Sequence, residues 1–287
     1  MVFVQERKEQ ALKDGVFPST LVVKLGGSAL AEVSDSWFAA LARLARAGVR
    51  LVLVHGGGKA IDTWLEALGG TPKSIGGLRV TDESTIPLVE MVLSGLVNKE
   101  LVRHLARFGI SAVGLSGADG ELLKVRRHPN PNLGRVGHVV RVSLAPLEAL
   151  WAAGFVPVLS PVSVGEDGEA YNVNADEAAG AIAEALGAPV VLATDVPGIL
   201  AAGRLLSELT PEDVRALGAS GVLKGGMLPK VEAALRALAG GAPWAVILSG
   251  RDPDALTALL AGEAVGTRIL PEAVCSEPPY PKAGEGR

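Results

Sequence analysis

A net charge of −4 over 287 residues, with no block of Lys or Arg, leaves no electrostatic footprint for nucleic acid. Hydrophobic residues make up 48% of the chain but aromatic ones only 4%, so the core must rest on Ala, Val and Leu; with 36 Gly, this suits alternating strands, helices and tight turns better than an all-β sandwich. The single Cys275 excludes a disulfide framework and a cysteine-based zinc site, and no apolar run reaches the ~18 residues of a membrane span.

The chain starts MVFVQERKEQALKDG, which is charged and lacks the apolar core of a signal peptide. A soluble, cytoplasmic protein is expected. TLVVKLGG (20–27) reads as a strand ending in glycines, and WFAALARLARAG (37–48) as a helix closed by Gly. VRLVLVHGGG (49–58) is the next strand and AIDTWLEALGG (60–70) the next helix. Residues 84–108 form a long helical stretch that tolerates Pro87 near its start. SAVGLSGADG predicts a strand and turn, and residues 121–142 predict strands joined by an irregular loop. GFVPVLSPVSV (154–164) reads as one buried strand, ADEAAGAIAEALG (175–187) as a helix, and APVVLATDVPGIL (188–200) as a return to β structure. A capping box runs from Thr210 to Asp213, ahead of the helix KVEAALRALAGG, the strand WAVILSG and the helix DPDALTALLAG. The tail from 273 to 287 is Pro- and Gly-rich and is expected to be disordered.

Strands alternating with helices predict an α/β fold, a mainly parallel sheet flanked on both faces. In such sheets ligands gather beyond the C-terminal ends of the strands. Here those ends carry KLGG, HGGG, LSG, TDVPG and SGR. HGGG (55–58) offers consecutive N–H groups at a helix start, a place that favours anionic oxygens, although a tight turn alone would also explain it. Lys59 fits a solvated helix lysine, and His55 a histidine bonded to the loop backbone. Lys24, on an apolar strand, is either an edge lysine or a site lysine. Arg79 in GGLRVTD can bind a carboxylate with two parallel bonds or form a surface salt bridge. In YNVNADEAA, Asn172 and Asn174 share one face of an extended segment, and Asp176 either caps a helix or belongs to a site. Lys224 and Lys230 flank a Gly-Gly pair. No cluster of His, Asp and Glu has metal-ligand spacing, and no Gly-x-Ser-x-Gly elbow or Cys/His pair indicates a nucleophile. Lysines, an arginine, amide-rich turns and one carboxylate are what phosphoryl transfer requires.

Together, KLGGSAL, LVHGGGKAID, GGLRVTDE, EMVLSGLVNKELV, AVGLSGADG, GRVGHVV, NVNADEAAGAIAEALGA, LATDVPGIL and GGMLPKVEAAL resemble the amino acid kinase family, in particular its acetylglutamate kinase branch, in order over residues 20–269. The resemblance implies a three-layer αβα fold with an acyl-substrate and dimerisation lobe at 18–187 and an ATP lobe at 188–272. It implies phosphorylation of the γ-carboxylate of N-acetyl-L-glutamate by ATP, with Mg²⁺ carried on the nucleotide phosphates. By motif, Lys24 and Lys230 would stabilise the transferring phosphoryl and Asp176 would hold both ammonium groups. Gly27, Gly57 and Gly58 would donate N–H bonds, while Arg79, Asn172 and Asn174 would bind the substrate. Asp195, Val196, Pro197, Gly198, Ile199 and Leu200, with Val222, Leu223 and Lys224, would line the adenine–ribose pocket. A carboxylate acceptor is already ionised, so no general base is required. Arginine-inhibited relatives carry a long N-terminal helix that interlaces dimers into hexamers; residues 1–17 allow only a short one, so a homodimer without strong arginine inhibition is expected. Two other readings stay open: a kinase of carrier-protein-linked α-aminoadipate, docking on Arg126, Arg127, Arg135 and His138, and a non-catalytic sensor. GLRVTD favours the free acetylated substrate over the first, and the presence of Lys24, Asp176 and Lys230 disfavours the second.

Overall fold

The computed structural model describes residues 17–26 and 34–271. Gly27, the tail from 273 and all of the expected N-terminal helix but Phe17 lie outside the described residues.

Strand β1 (Thr20–Leu25) is buried at all six positions, as an apolar run predicts for a strand covered on both faces. Next come α1 (Asp35–Arg46), β2 (Arg50–His55) and α2 (Gly58–Ala67). A small hairpin, β3 (Ser74–Ile75) and β4 (Leu78–Arg79), turns on Gly76 and Gly77 at φ of 58° and 83°, a region glycine enters without steric cost. The long helical stretch is present, but not as one regular helix. A π-helical segment, Met91–Val97, joins α3 (Ile86–Glu90) to α4 (Asn98–Arg107). Then follow β5 (Ala112–Ser116), the strands β6 (Leu123–Arg127) and β7 (Gly137–Val142) joined by an irregular loop, and α5 (Ala145–Ala152).

The run 154–164 is not the single strand expected. β8 (Val156–Ser160) lies in the central sheet and β9 (Val162–Gly165) in another. Pro161 stands between them, at the point where the chain leaves the central sheet. The chain continues through β10 (Ala170–Asn172), α6 (Ala175–Leu186) and β11 (Val190–Thr194). The short strands β12 (Leu200–Ala201), β13 (Arg204–Leu205) and β14 (Glu208–Leu209) lead to α7 (Pro211–Ala219). The expected capping box opens α7, with Thr210 and Asp213 each bonding the other's backbone N–H. Last come α8 (Leu228–Ala239), β15 (Ala245–Ser249), α9 (Ala255–Leu260) and β16 (Thr267–Ile269).

The central sheet has eight strands in the order β14-β16-β15-β11-β1-β2-β8-β5, parallel except for the β15–β16 pair. Strand alternation sorts its side chains into two layers. Val22, Val52, Val54, Val190 and Leu192 face the Ala-rich helices α6 and α8. Leu21, Val23, Leu25, Leu51, Leu53 and Val191 face α1, α4 and α9. The result is the expected three-layer αβα arrangement. A four-stranded sheet, β10-β9-β6-β7, forms the second sheet.

Helices α6 and α8 approach closely enough to require glycine. A Cβ at Gly180 would stand 2.7 Å from the Cα of Ala233. This approach brings the first turns of the two helices to the C-terminal end of β1.

Candidate active site

Lys24 has the same strand parity as Val22, so its side chain enters the layer of α6 and α8. It is 6% exposed and meets Asp176, itself 4% exposed, from the first turn of α6. Lys24 Nζ lies 2.8 Å from Asp176 Oδ1, an ion pair rather than a well-angled hydrogen bond, since that oxygen has no hydrogen-bond partner. Lys230, in the first turn of α8, donates to Asp176 Oδ2 at 3.1 Å and to the Gly226 carbonyl at 3.0 Å. Two ammonium groups thus share one carboxylate, and one positive charge is left over in a largely dry place. Burial pushes the Lys24 ammonium below the ordinary lysine range, against the pull of Asp176 and with the push of Lys230. Burial also raises the Asp176 carboxyl, but the charges of Lys24 and then Lys230 outweigh it and hold it below the ordinary carboxylate range. An anion bound beside the pair would restore balance.

Asp176 is not the helix cap. Asn174 is, its Oδ1 accepting from the N–H groups of Asp176 at 2.8 Å and Glu177 at 3.3 Å. Capping by Asn174 frees the Asp176 carboxylate for the lysines.

A cavity of about 200 Å³ is lined by Gly56, Gly57, Gly58, Arg79, Asn172 and Asn174, among others. Gly57 and Gly58 open α2, where first-turn N–H groups have no partner inside the helix. Arg79 closes one wall, with Nη1 2.6 Å from Asp62 Oδ1 and Nη2 donating to the Gly58 carbonyl at 3.0 Å. The salt bridge and the cavity position therefore coexist. Asn172 donates to Thr81 Oγ1 at 3.1 Å. His55 is buried, and its Nδ1 lies 2.8 Å from the Gly56 carbonyl, as a histidine bonding the loop backbone should.

At the end of β11, Asp195 is exposed, and a hydrogen bond from Thr194 Oγ1 at 3.0 Å holds its carboxyl below the ordinary range. Val196 and Pro197 lead to Gly198, at φ 153°, where a Cβ would stand 2.7 Å from Thr267 Oγ1. Thr267 is fully buried and ties this turn down, accepting from Ile199 N at 2.8 Å and donating to the Leu206 carbonyl at 2.6 Å. Ile199 and Leu223 share one core cluster, whereas Leu200, Val222 and Lys224 are exposed. Among the described residues no three His, Cys, Asp or Glu side chains converge as a metal-ligand set, and no helix is long and apolar enough to cross a membrane.

Sequence reading missed Asp62, Asn98 and Thr267. Asn98 carried a signal: it is a polar residue three and seven positions before Leu101 and Leu105, on the buried stripe of α4. Asp62 and Thr267 carried none, because their partners are distant in the chain.

A mainly parallel sheet between helices, with glycine turns and a carboxylate-bridged lysine pair at its strand ends, defines a three-layer α/β protein. The chain belongs to the amino acid kinase family, whose model matches residues 19–249. It is 46% identical to the acetylglutamate kinase of Geobacillus thermodenitrificans over 82% of this chain and 92% of that one. It is 44% identical to that of Brevibacillus brevis (87% and 96% covered) and 46% to that of Rubrobacter xylanophilus (88% and 98% covered). Among solved structures, smu.665 from Streptococcus mutans UA159 aligns with a TM-score of 0.79 at 30% identity, covering 88% of this chain and 98% of that one. Carbamate kinase from Giardia lamblia bound to AMP-PNP shares the fold, with a TM-score of 0.64 at 16% identity over 88% and 98% of the chains.

Proposed function

We propose that this chain is an acetylglutamate kinase, which uses ATP to phosphorylate the γ-carboxylate of N-acetyl-L-glutamate, giving N-acetyl-L-glutamyl 5-phosphate and ADP in arginine biosynthesis. The observation that carries the reading is the Lys24–Asp176–Lys230 bridge, set at the strand end beside a small cavity walled by glycine amides and Arg79. The 44 to 46% identity to acetylglutamate kinases over most of the chain supports it.

In this reading the acceptor carboxylate attacks the γ-phosphorus of ATP, and the bond from that phosphorus to the bridging oxygen of ADP breaks. The acceptor is ionised at neutral pH, so no proton need be removed. Catalysis then rests on position and charge. Lys24 and Lys230 neutralise charge on the transferring group, and Asp176 holds the two ammonium groups apart and aimed. The amides of Gly57 and Gly58, with that of Gly27, donate to the reacting oxygens. Arg79 binds the α-carboxylate, and Asn172 and Asn174 lie along the rest of the acid. Residues 195–200 and 222–224 hold the adenine and ribose, in a C-terminal lobe running from 188 to 272. Magnesium arrives as the metal–nucleotide substrate, and the protein need supply few ligands of its own. The working assembly is a homodimer.

Local acids weaken the docking surface that the carrier-linked reading needs. Arg126 pairs with Glu166, Arg135 with Glu83, Asp167 and Glu169, and His138 with Glu177, so local acids match three of the four basic groups, while Arg127 donates to the Gly134 carbonyl. The cavity of about 200 Å³ is also below the ~300 Å³ at which drug-sized pockets begin, which suits a small free acid. ADP release from MgATP should be measured against N-acetylglutamate, glutamate, aspartate, carbamate and uridylate, and against carrier-linked aminoadipate. Turnover confined to N-acetylglutamate is expected. Turnover with the carrier-linked acid and none with N-acetylglutamate would overturn the reading.

A further inference from the structure

We propose that His55 and Asn98 are positioning residues, which fix the peptide between Gly56 and Gly57 so that the Gly57 N–H faces the acceptor cavity. The inference rests on the reaction proposed above, in which that N–H is a donor to the reacting oxygens. It begins with parity. His55 has the same parity as Leu51 and Leu53, so its ring leaves the sheet on the α4 side, away from Lys24. There it is fully buried and meets Asn98, also fully buried, with Asn98 Nδ2 3.1 Å from His55 Nε2.

Asn98 Nδ2 also donates to the Val158 carbonyl at 2.9 Å, and Lys99 Nζ donates to Asn98 Oδ1 at 3.1 Å. Lys99 Nζ also donates to the Gly114 carbonyl at 2.8 Å. These bonds settle which way the Asn98 amide points: the oxygen faces Lys99 and the NH₂ faces His55. An NH₂ on Nε2 makes that nitrogen the acceptor, so the ring proton sits on Nδ1. Nδ1–H then donates to the Gly56 carbonyl at 2.8 Å. Burial, with the charge of Lys99 acting in the same direction, lowers His55 to about 4, so the ring is neutral at working pH.

No cis peptide occurs among the described residues, and in a trans peptide the carbonyl and the following N–H point to opposite sides. Holding the Gly56 carbonyl toward the core therefore turns the Gly57 N–H toward the cavity that Gly57 lines. Two glycines make the arrangement possible. A Cβ at Gly114 would collide with Asn98 Oδ1, and one at Gly57 would collide with Leu93 of the π-helical segment. The same segment delivers Asn98 at its end, a use of π-helical geometry seen often at functional sites.

The test combines spectroscopy with kinetics on the full chain. With ¹⁵N-labelled histidine and no substrate, NMR should find His55 as the neutral Nδ1–H tautomer in the native protein and as Nε2–H in Asn98→Asp. The Nε2–H form in the native protein would overturn the proposal, whatever the substrate. In ADP-release assays with N-acetylglutamate, His55→Leu should lose on the order of 10- to 100-fold in kcat, up to the loss of one preorganised donor. Its KM for nucleotide should stay unchanged. His55→Asn, whose amide can take the place of Nδ1–H, should recover most of that loss. Asn98→Asp should gain activity as the pH falls from roughly 8 to roughly 6, where an imidazolium can again donate from Nδ1; this readout stands even if His55→Leu does not fold. Native kcat in a folded His55→Leu, or a pH profile for Asn98→Asp parallel to the native one, would also overturn the inference. Native protein inactive with every acceptor, but with the Nδ1–H tautomer, would count against the function and uphold the tautomer and peptide geometry.

Discussion

Lys24 holds its ammonium near the end of a fully buried strand, where Asp176 pairs with it and an incoming anion would balance the charge left over. Replacing Lys24 or Lys230 by Ala should lower kcat by roughly 10²–10³-fold, as for other preorganised charge-stabilising donors, with native circular dichroism retained. Arg79→Ala should act differently. It should raise KM for the acid with kcat largely kept, because Arg79 binds ground and transition states alike; an unchanged KM would remove its assigned role. Asp176 adds a pH signature. Its folded pKa lies below the ordinary 3.8, so the unfolded chain binds the extra proton first. The stability it supplies is complete above about that pH and is lost as pH falls through the folded value. Asp176→Asn should flatten that acid limb in urea melts. It should also destabilise by about 3–5 kcal/mol at neutral pH, because the buried Lys24 ammonium loses its partner and the half-buried Lys230 one of its two. Of these roles, Lys24 and Arg79 were legible as alternatives in the sequence. That Lys24 faces Lys230 across Asp176 came only from the family resemblance, not from spacing, since the three lie far apart in the chain.

At the scale of elements, the helix pair α6–α8 sets the lysine–carboxylate geometry. Ala at Gly180 gains roughly 1 kcal/mol of helix propensity, yet its Cβ must push against the Ala233 backbone. Overpacking of this kind costs about 1–3 kcal/mol. Gly180→Ala is therefore expected to lower Tm and, by moving α8, to lower kcat more than it changes KM for the acid. A rise in Tm would show that α8 yields without strain. The element pattern itself was readable where periodicity was long and capped: Thr210 and Asp213 were a capping box in sequence and in structure. It failed at Pro161, where one apolar run became two strands of different sheets. Hydrophobicity marks burial but not which sheet buries a residue, and a proline alone does not mark the break, since Pro157 lies inside β8.

For the whole molecule, substrates and fold are linked. N-acetylglutamate and MgATP bound to the native state should raise Tm, each by the equivalent of about 2.7 kcal/mol at a hundredfold excess over its Kd. Arg79→Ala should lose the acid's share of the rise and keep the nucleotide's. Loss of both would mean that Arg79 supports the fold rather than the acid. Size-exclusion chromatography with light scattering is expected to give a dimer, and a hexamer would count against the proposed homodimer.

Sequence alone determined the fold class, the glycine turns at the strand ends and the residue types needed to manage a phosphoryl group. Those are local properties: apolar period, turn chemistry and the charge each side chain carries. Tertiary structure decided which of those groups act together. Strand parity sent Lys24 to one face of the sheet and His55 to the other, and helix packing carried Asp176 and Lys230 to the first. The π-helical segment brought Asn98 to the second. HGGG looked like a phosphate turn whose histidine bonds the loop backbone. In the fold that bond goes to the Gly56 carbonyl and Asn98 meets the ring's other nitrogen, a pairing no spacing along the chain reveals, because Asn98 and His55 meet only when the sheet and α4 pack.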